Sequence, residues 1–213
     1  LLSQQRAGAA MESGFLARQI APIDIPARRG TRLFEHDEFP RPQTTLEKLR
    51  GLKPVFRDGG RVTAGNSSGI NDGSAGMVIM SAEKAKDLGI QPLAKIKAIG
   101  KGGCHPSIMG LSPVPAVADL SKRSGIKLAD FELIEINEAF AAQYLGCEKE
   151  LNLNREITNV NGSGIGLGHP VGATGARIMI TLLYALDRKK KNLGLATLCG
   201  GGGVSMACAI ELG

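Results

Sequence analysis

Tryptophan is absent from this 213-residue chain, and aromatic residues make up only 4% of it. That scarcity excludes a single-strand nucleic-acid platform, which stacks bases on rings set among basic side chains. The chain carries 26 Lys and Arg against 20 Asp and Glu, a formal charge of +6. The basic residues are scattered, with small clusters at Arg28, Arg29 and Arg32 and at Lys189, Lys190 and Lys191. The second cluster falls where a helix should end and suits the helix dipole. Nucleic acid is therefore not an expected partner, whereas a phosphate-bearing ligand fits the charge. Cys104, Cys147, Cys199 and Cys208 lack the spacing of a disulfide framework or a zinc ribbon. Free thiols, a cytoplasmic setting and no metal site are the expectation. No apolar run reaches the length of a membrane span, nothing at the start reads as a signal peptide, and no repeat is visible. No membrane partner is expected.

Glycine is what the chain has in excess: 29 residues, about twice the usual share. They are densest from Asn161 to Arg177, where Gly162, Gly164, Gly166, Gly168, Gly172 and Gly175 surround His169 and Pro170 follows it. Glycine accumulates where backbone must approach something closely or take a positive φ. A histidine on such a loop reads either as placed for use or as an incidental surface residue.

Periodicity predicts an amphipathic helix over 3–20, with Ala7, Ala10, Met11, Phe15 and Ile20 on one face. Residues 21–62 read as surface excursions, 62–73 as a second small-residue loop, and 74–80 as a short strand or buried helix start. A helix over 81–88 closes at Gly89. The rhythm then becomes regular: strand 94–100, helix 113–124 capped at Ser112 and stopped by Gly125, strand 131–136, helix 138–150, strand 157–160, helix 173–190, and strands 193–198 and 204–212. This βαβαβαββ order predicts a layered α/β fold, largely parallel, with an antiparallel strand at the end.

Three polar residues stand at predicted strand ends. Asn137 follows strand 131–136, His169 lies between a strand and a helix, and Cys199 ends strand 193–198. Ligands of α/β sheets collect at such carboxyl ends, so the three can converge. Alone, Asn137 also reads as an N-cap and Cys199 as a small buried hydrophobe. The glycines from Gly200 to Gly203 leave backbone N–H groups open beside the thiol, as an oxyanion hole requires. His169 could act as base toward a nearby thiol. A dinucleotide-binding reading of the glycine loop lacks the early strand-turn position and the downstream acidic residue.

Asn137-Glu138-Ala139-Phe140-Ala141, Gly168-His169-Pro170 with Gly172 to Arg177, and Cys199-Gly200-Gly201-Gly202 resemble the three C-terminal signatures of the thiolase family, in order. The resemblance runs through the whole chain, including Thr63 to Asn66, Ser68-Gly69 and Asn71 to Gly73. Ser112 and Ser205 are small departures from the family pattern. The resemblance implies a thiolase-like layered fold, with 1–90 as the remainder of a loop domain plus the end of an N-terminal half, and 91–213 as the C-terminal domain.

It further implies an acyltransferase that forms or cleaves a carbon–carbon bond between acyl groups on coenzyme A. His169 would activate a nucleophilic cysteine, Asn137 would hold the water of a first oxyanion hole, Cys199 would be the acid/base, and the Gly201 N–H would serve a second oxyanion hole. Ser68, Ala64, Phe56, Leu52, Met109 and Phe140 would line the coenzyme A channel, with Arg41 near its nucleotide end; core packing is the other reading of Phe56, Met109 and Phe140. Coenzyme A thioesters would be substrates, with no permanently bound cofactor. The nucleophilic cysteine is expected on an N-terminal half outside this chain, which would be a partner alongside further copies of the chain. Met109 in its Met-Gly context resembles the short-chain, biosynthetic branch. The other reading is a non-catalytic coenzyme A-binding or partner subunit.

Overall fold

The computed structural model describes residues 1–213. Its first part consists of short elements: helix α1 (Leu2–Glu12), a 3-10 turn (Ala17–Gln19), strands β1 (Ile23–Pro26) and β2 (Thr31–Phe34), and helices α2 (Leu46–Arg50) and α3 (Ala82–Asp87). There follow β3 (Ala94–Gly103), α4 (Pro113–Ser124), β4 (Leu133–Ile136), α5 (Ala141–Leu151), the single turn α6 (Gly164–Leu167), α7 (Thr174–Lys189), β5 (Leu193–Cys199) and β6 (Val204–Leu212). No helix is long and apolar enough to cross a membrane.

Strands β3 to β6 form one sheet in the order β3-β6-β5-β4. Side chains alternate across it. One face places Ile134, Leu195, Ala207 and Ala209 against Ala116, Val117 and Leu120 of α4. The other places Leu133, Ala196 and Ile210 against Ile178, Leu182 and Leu186 of α7, with Ala7, Ala10 and Phe15 completing that cluster. The result is a layered α/β unit with a helix on each face. Contact on the α4 side is close: a Cβ on Gly100 would lie 2.2 Å from the Ala116 carbonyl oxygen, and one on Gly102 would lie 2.3 Å from the Ala116 nitrogen.

Two expectations about the sheet need correction. It is mostly antiparallel, since only β4 and β5 run parallel while β6 is antiparallel to both β5 and β3. The tight glycine turn between β5 and β6 imposes this, because a turn that short can only fold a strand back on its neighbour. The predicted strand 157–160 is reduced to one parallel bridge between Ile134 and Thr158, so the order from β3 onward is βαβαααββ. Asn159 takes a left-handed φ of 50° and ends the pairing. Its side-chain amide replaces the lost ladder: Oδ1 accepts from the Ile136 N–H at 2.8 Å, and Nδ2 donates to the Ile136 carbonyl at 2.8 Å.

Other boundaries shift for local reasons. The first helix ends at Glu12, because Gly14 adopts a φ of 69°, and Met11 faces outward instead of joining the core. Residues 74–80 form neither strand nor helix, and Val78 and Ile79 are exposed; a strand needs a neighbour to pair with, and none lies beside them. Helix α5 starts at Ala141, not Glu138, because Phe140 is extended and residues 139–141 pair with the 66–68 loop through Ser68 N–H to Ala139 O and Ala141 N–H to Asn66 O. Ser112 occupies the N-cap position of α4 without capping it; its hydroxyl donates to the Val204 carbonyl at 2.9 Å. Ser205 likewise donates to the Leu198 carbonyl at 2.6 Å, so both departures from the family pattern brace the β5–β6 turn.

Candidate active site

Neighbouring strands β4 and β5 bring Asn137 and Cys199 to the same sheet end. The Asn137 N–H donates to the Thr197 carbonyl at 3.0 Å, continuing the ladder past Ile136. Asn137 is fully buried and is not an N-cap, because α5 begins later and is preceded by Phe140. Its Nδ2 lies 3.3 Å from His169 Nε2, while its Oδ1 is buried without a hydrogen-bond partner.

His169 is held on three sides. Its backbone N–H donates to Asn71 Oδ1 at 3.1 Å, and Ile70 forms a parallel bridge with it. Its Nδ1 lies 2.7 Å from Thr174 Oγ1, and that hydroxyl donates its own proton to the Pro170 carbonyl at 2.9 Å. A hydroxyl whose proton is committed can only accept, so the imidazole proton sits on Nδ1 and Nε2 keeps its lone pair. Burial, reinforced by the Arg177 charge, holds the ring below the usual histidine range. The ring is a neutral base at physiological pH.

Cys199 is buried at the end of β5. Burial raises its thiol above the ordinary value, partly offset by a backbone hydrogen bond. A thiol so placed keeps its proton near neutrality and can donate it, taking one back only once it is a thiolate. Gly202 and Gly203 have φ of 79° and 92°, conformations that favour glycine, while a Cβ on Gly201 would meet nothing within 4 Å. The backbone beside the thiol is therefore open to a small molecule.

Of the residues expected in a ligand channel, Phe56 and Phe140 meet edge-to-face with centroids 6.1 Å apart. Phe56 is 71% exposed and Met109 and Phe140 are half-buried, so none of the three is a core residue. Leu52 lies against Gly65 beside exposed Ala64, and half-buried Ser68 joins the strip paired with Ala139. The exposed Arg41 stands apart, its backbone N–H tied to Gln4 of α1 at 2.7 Å. A cleft of about 360 Å³ includes Leu52, Thr63, Gly65 and Tyr144 but neither His169 nor Cys199. The chemical groups are thus found by their geometry and not by the depth of the hollow.

Several supporting residues are not evident from sequence reasoning. Thr174 lies within a motif already in view, five residues after His169, yet its role needs the fold. Glu138 accepts from Ser3 Oγ at 2.5 Å and from the Ile165 N–H at 3.3 Å, fixing the segment after Asn137. Ser3 and Glu138 are 135 positions apart, and no local pattern connects them.

Comparison with known proteins places the chain among described families. The family model "Thiolase, N-terminal domain" matches residues 1–83 and "Thiolase, C-terminal domain" matches residues 90–212. The acetyl-CoA acetyltransferase of Escherichia coli strain K12 is 51% identical over 99% of this chain, covering 54% of its own length. The mitochondrial 3-ketoacyl-CoA thiolase of Bos taurus is 44% identical, also over 99% of this chain and 53% of its own length. The crystal structure of the Bacillus anthracis acetyl-CoA acetyltransferase superposes with a TM-score of 0.96 at 54% identity, over 99% of this chain and 54% of that one. The chain spans about half the length of the curated relatives it matches. With family models covering almost all of it and relatives this close, the chain belongs to the thiolase family.

Proposed function

We propose that this chain supplies one wall of an acyltransferase site for the reversible Claisen condensation of acetyl-CoA to acetoacetyl-CoA and for thiolysis of 3-ketoacyl-CoA. The observation that carries the reading is His169, with Nδ1 tied to Thr174 and Nε2 beside Asn137, a residue that follows the strand next to the one ending at Cys199 and its open glycine turn. As a first acetyl-CoA acylates the nucleophilic cysteine, Cys199 gives its proton to the departing coenzyme A thiolate, and the Cys199 thiolate then takes a proton from the α carbon of a second acetyl thioester. The enolate attacks the acyl group carried on a nucleophilic cysteine, the carbon–carbon bond forms, and the cysteine leaves as a thiolate. His169 takes the proton of that nucleophile when it is first acylated. The first oxyanion hole consists of His169 and a water held by Asn137, whose buried Oδ1 has no partner within the chain. The Gly201 N–H serves the second, where donors must meet developing charge without side chains in the way.

Ser68, Ala64, Phe56, Leu52, Met109 and Phe140 accommodate the pantetheine arm, and Arg41 the nucleotide end. Coenzyme A thioesters are substrates, and no permanently bound cofactor takes part. Short acyl chains are the preferred substrates, on the Met109-Gly110 context. In this reading residues 1–90 are the remainder of a loop domain with the end of the N-terminal half, and 91–213 the C-terminal domain. The nucleophile lies in an N-terminal half that packs against this chain, and the assembly is a homo-oligomer. Its compartment is the cytoplasm, which suits four free thiols.

The chain alone should show no thiolysis of acetoacetyl-CoA, and adding the N-terminal half of a close relative should restore turnover. Turnover by the isolated chain would overturn the placement of the nucleophile. No turnover with the half bound would overturn the assignment of Cys199 and His169.

A further inference from the structure

Beneath His169 lies a charge that the mechanism above does not use. Thr174 and Arg177 occupy the first turn of α7, three residues apart and therefore on one side of the helix. Ile178 and Leu182, adjoining them, pack against Leu133 of β4. Alternation along β4 puts Glu135 on the same face as Leu133, toward α7. Glu135 is buried, with Oε2 lacking a hydrogen-bond partner, and the two terminal nitrogens of Arg177 are buried and equally unpartnered. The charges of Glu138 and Asp37 also reach the guanidinium, and that of Arg6 reaches Glu135, without forming an ion pair.

An arginine here runs against two rules. Its positive charge sits at a helix N-terminus, where the dipole is already positive, and burying a charged group costs several kcal/mol unless it is well paired. An apolar residue of similar size would suit stability better. The charge is therefore more readily explained by the site beside it than by packing.

We propose that Arg177 keeps His169 in its neutral, proton-accepting form: its buried, unpartnered guanidinium lies in the same turn of α7 as Thr174, whose hydroxyl holds the ring. The inference rests on the reading of His169 as the base. A fixed cation under the ring opposes a second positive charge on it, so Nε2 stays free to accept a proton. The α7 dipole acts in the same sense.

Proton NMR of the imidazole C–H signals tests this in the 213-residue chain, which has only three histidines, His36, His105 and His169. R177M leaves Glu135 as an unpartnered buried polar group in an apolar setting, so R177M/E135L, which replaces both unpartnered groups, accompanies it. Glu135, pushed up to about 8 by burial, is already protonated where His169 titrates, so its removal leaves the charge there unchanged. The His169 midpoint should rise by about half a unit or more in R177M/E135L. It should stay within about 0.2 unit of the parent in R177K, which keeps the charge. A His169 midpoint unchanged in R177M/E135L, or one that moves as far in R177K, overturns the proposal. The readout is a titration and not turnover, so a failure of this proposal is distinguishable from a failure of the acyltransferase reading.

Discussion

Glu135 shows how one side chain ties the site to stability. Its folded pKa, about 8, lies above the 4.5 of an unperturbed glutamate because burial disfavours the carboxylate. Between those values the native state holds a proton that the unfolded chain releases. The stability linked to that proton is whole below pH 4.5 and is lost as pH rises through 8. The urea midpoint should therefore fall from pH 5 to pH 9, and E135Q, which cannot ionise, should flatten that slope; an unchanged slope in E135Q would refute the coupling. At this scale the sequence was informative where a residue announces its chemistry. Asn137 and Cys199 stand at strand ends, His169 lies between α6 and α7 instead of after a strand, and all three fall within motifs. Thr174, Glu135 and Arg177 were not legible, because a hydroxyl, a strand carboxylate and a helix arginine are ordinary until the fold sets them under a histidine.

Helix α4 was readable almost to the residue, with proline at its start and Gly125 at a φ of 77° closing it. Such punctuation is local, so the sequence carries it. Where a boundary depends on a distant partner it was lost: α5 starts late because residues 139–141 pair with the 66–68 loop, and strand 157–160 yields to one side chain, Asn159. The β3–α4 contact is the element-level counterpart of this non-local dependence. Gly100 reads as an ordinary strand glycine, yet a Cβ there would meet the Ala116 carbonyl oxygen at 2.2 Å and the Leu120 nitrogen at 2.5 Å. Gly100→Ala should cost about 1–3 kcal/mol as α4 is pushed off the sheet, seen as a lower urea midpoint. A neutral result would mean the helix can slide without loss.

For the molecule as a whole, the layered fold was legible from alternating periods, while the strand directions were not, since a hydrophobic strand reads alike in both senses. Ile70, Val78 and Phe56 are exposed on the segments that precede the sheet. Scattered apolar residues are ordinary on a surface, but large apolar patches drive association. The isolated chain should elute from gel filtration as an oligomer, and a monomer at all concentrations would count against the proposed assembly. The longest links in the structure also order its making. Ser3 of α1 donates to Glu138 and accepts from the N–H of Gly166, a partner 163 positions later. A ribosome adding roughly 5–20 residues per second needs on the order of ten seconds to cover that distance. Throughout that wait Ala7, Ala10 and Phe15 lack the cluster partners that come from β4, α6 and α7, so an early helix is fully housed only after most of the chain has been made.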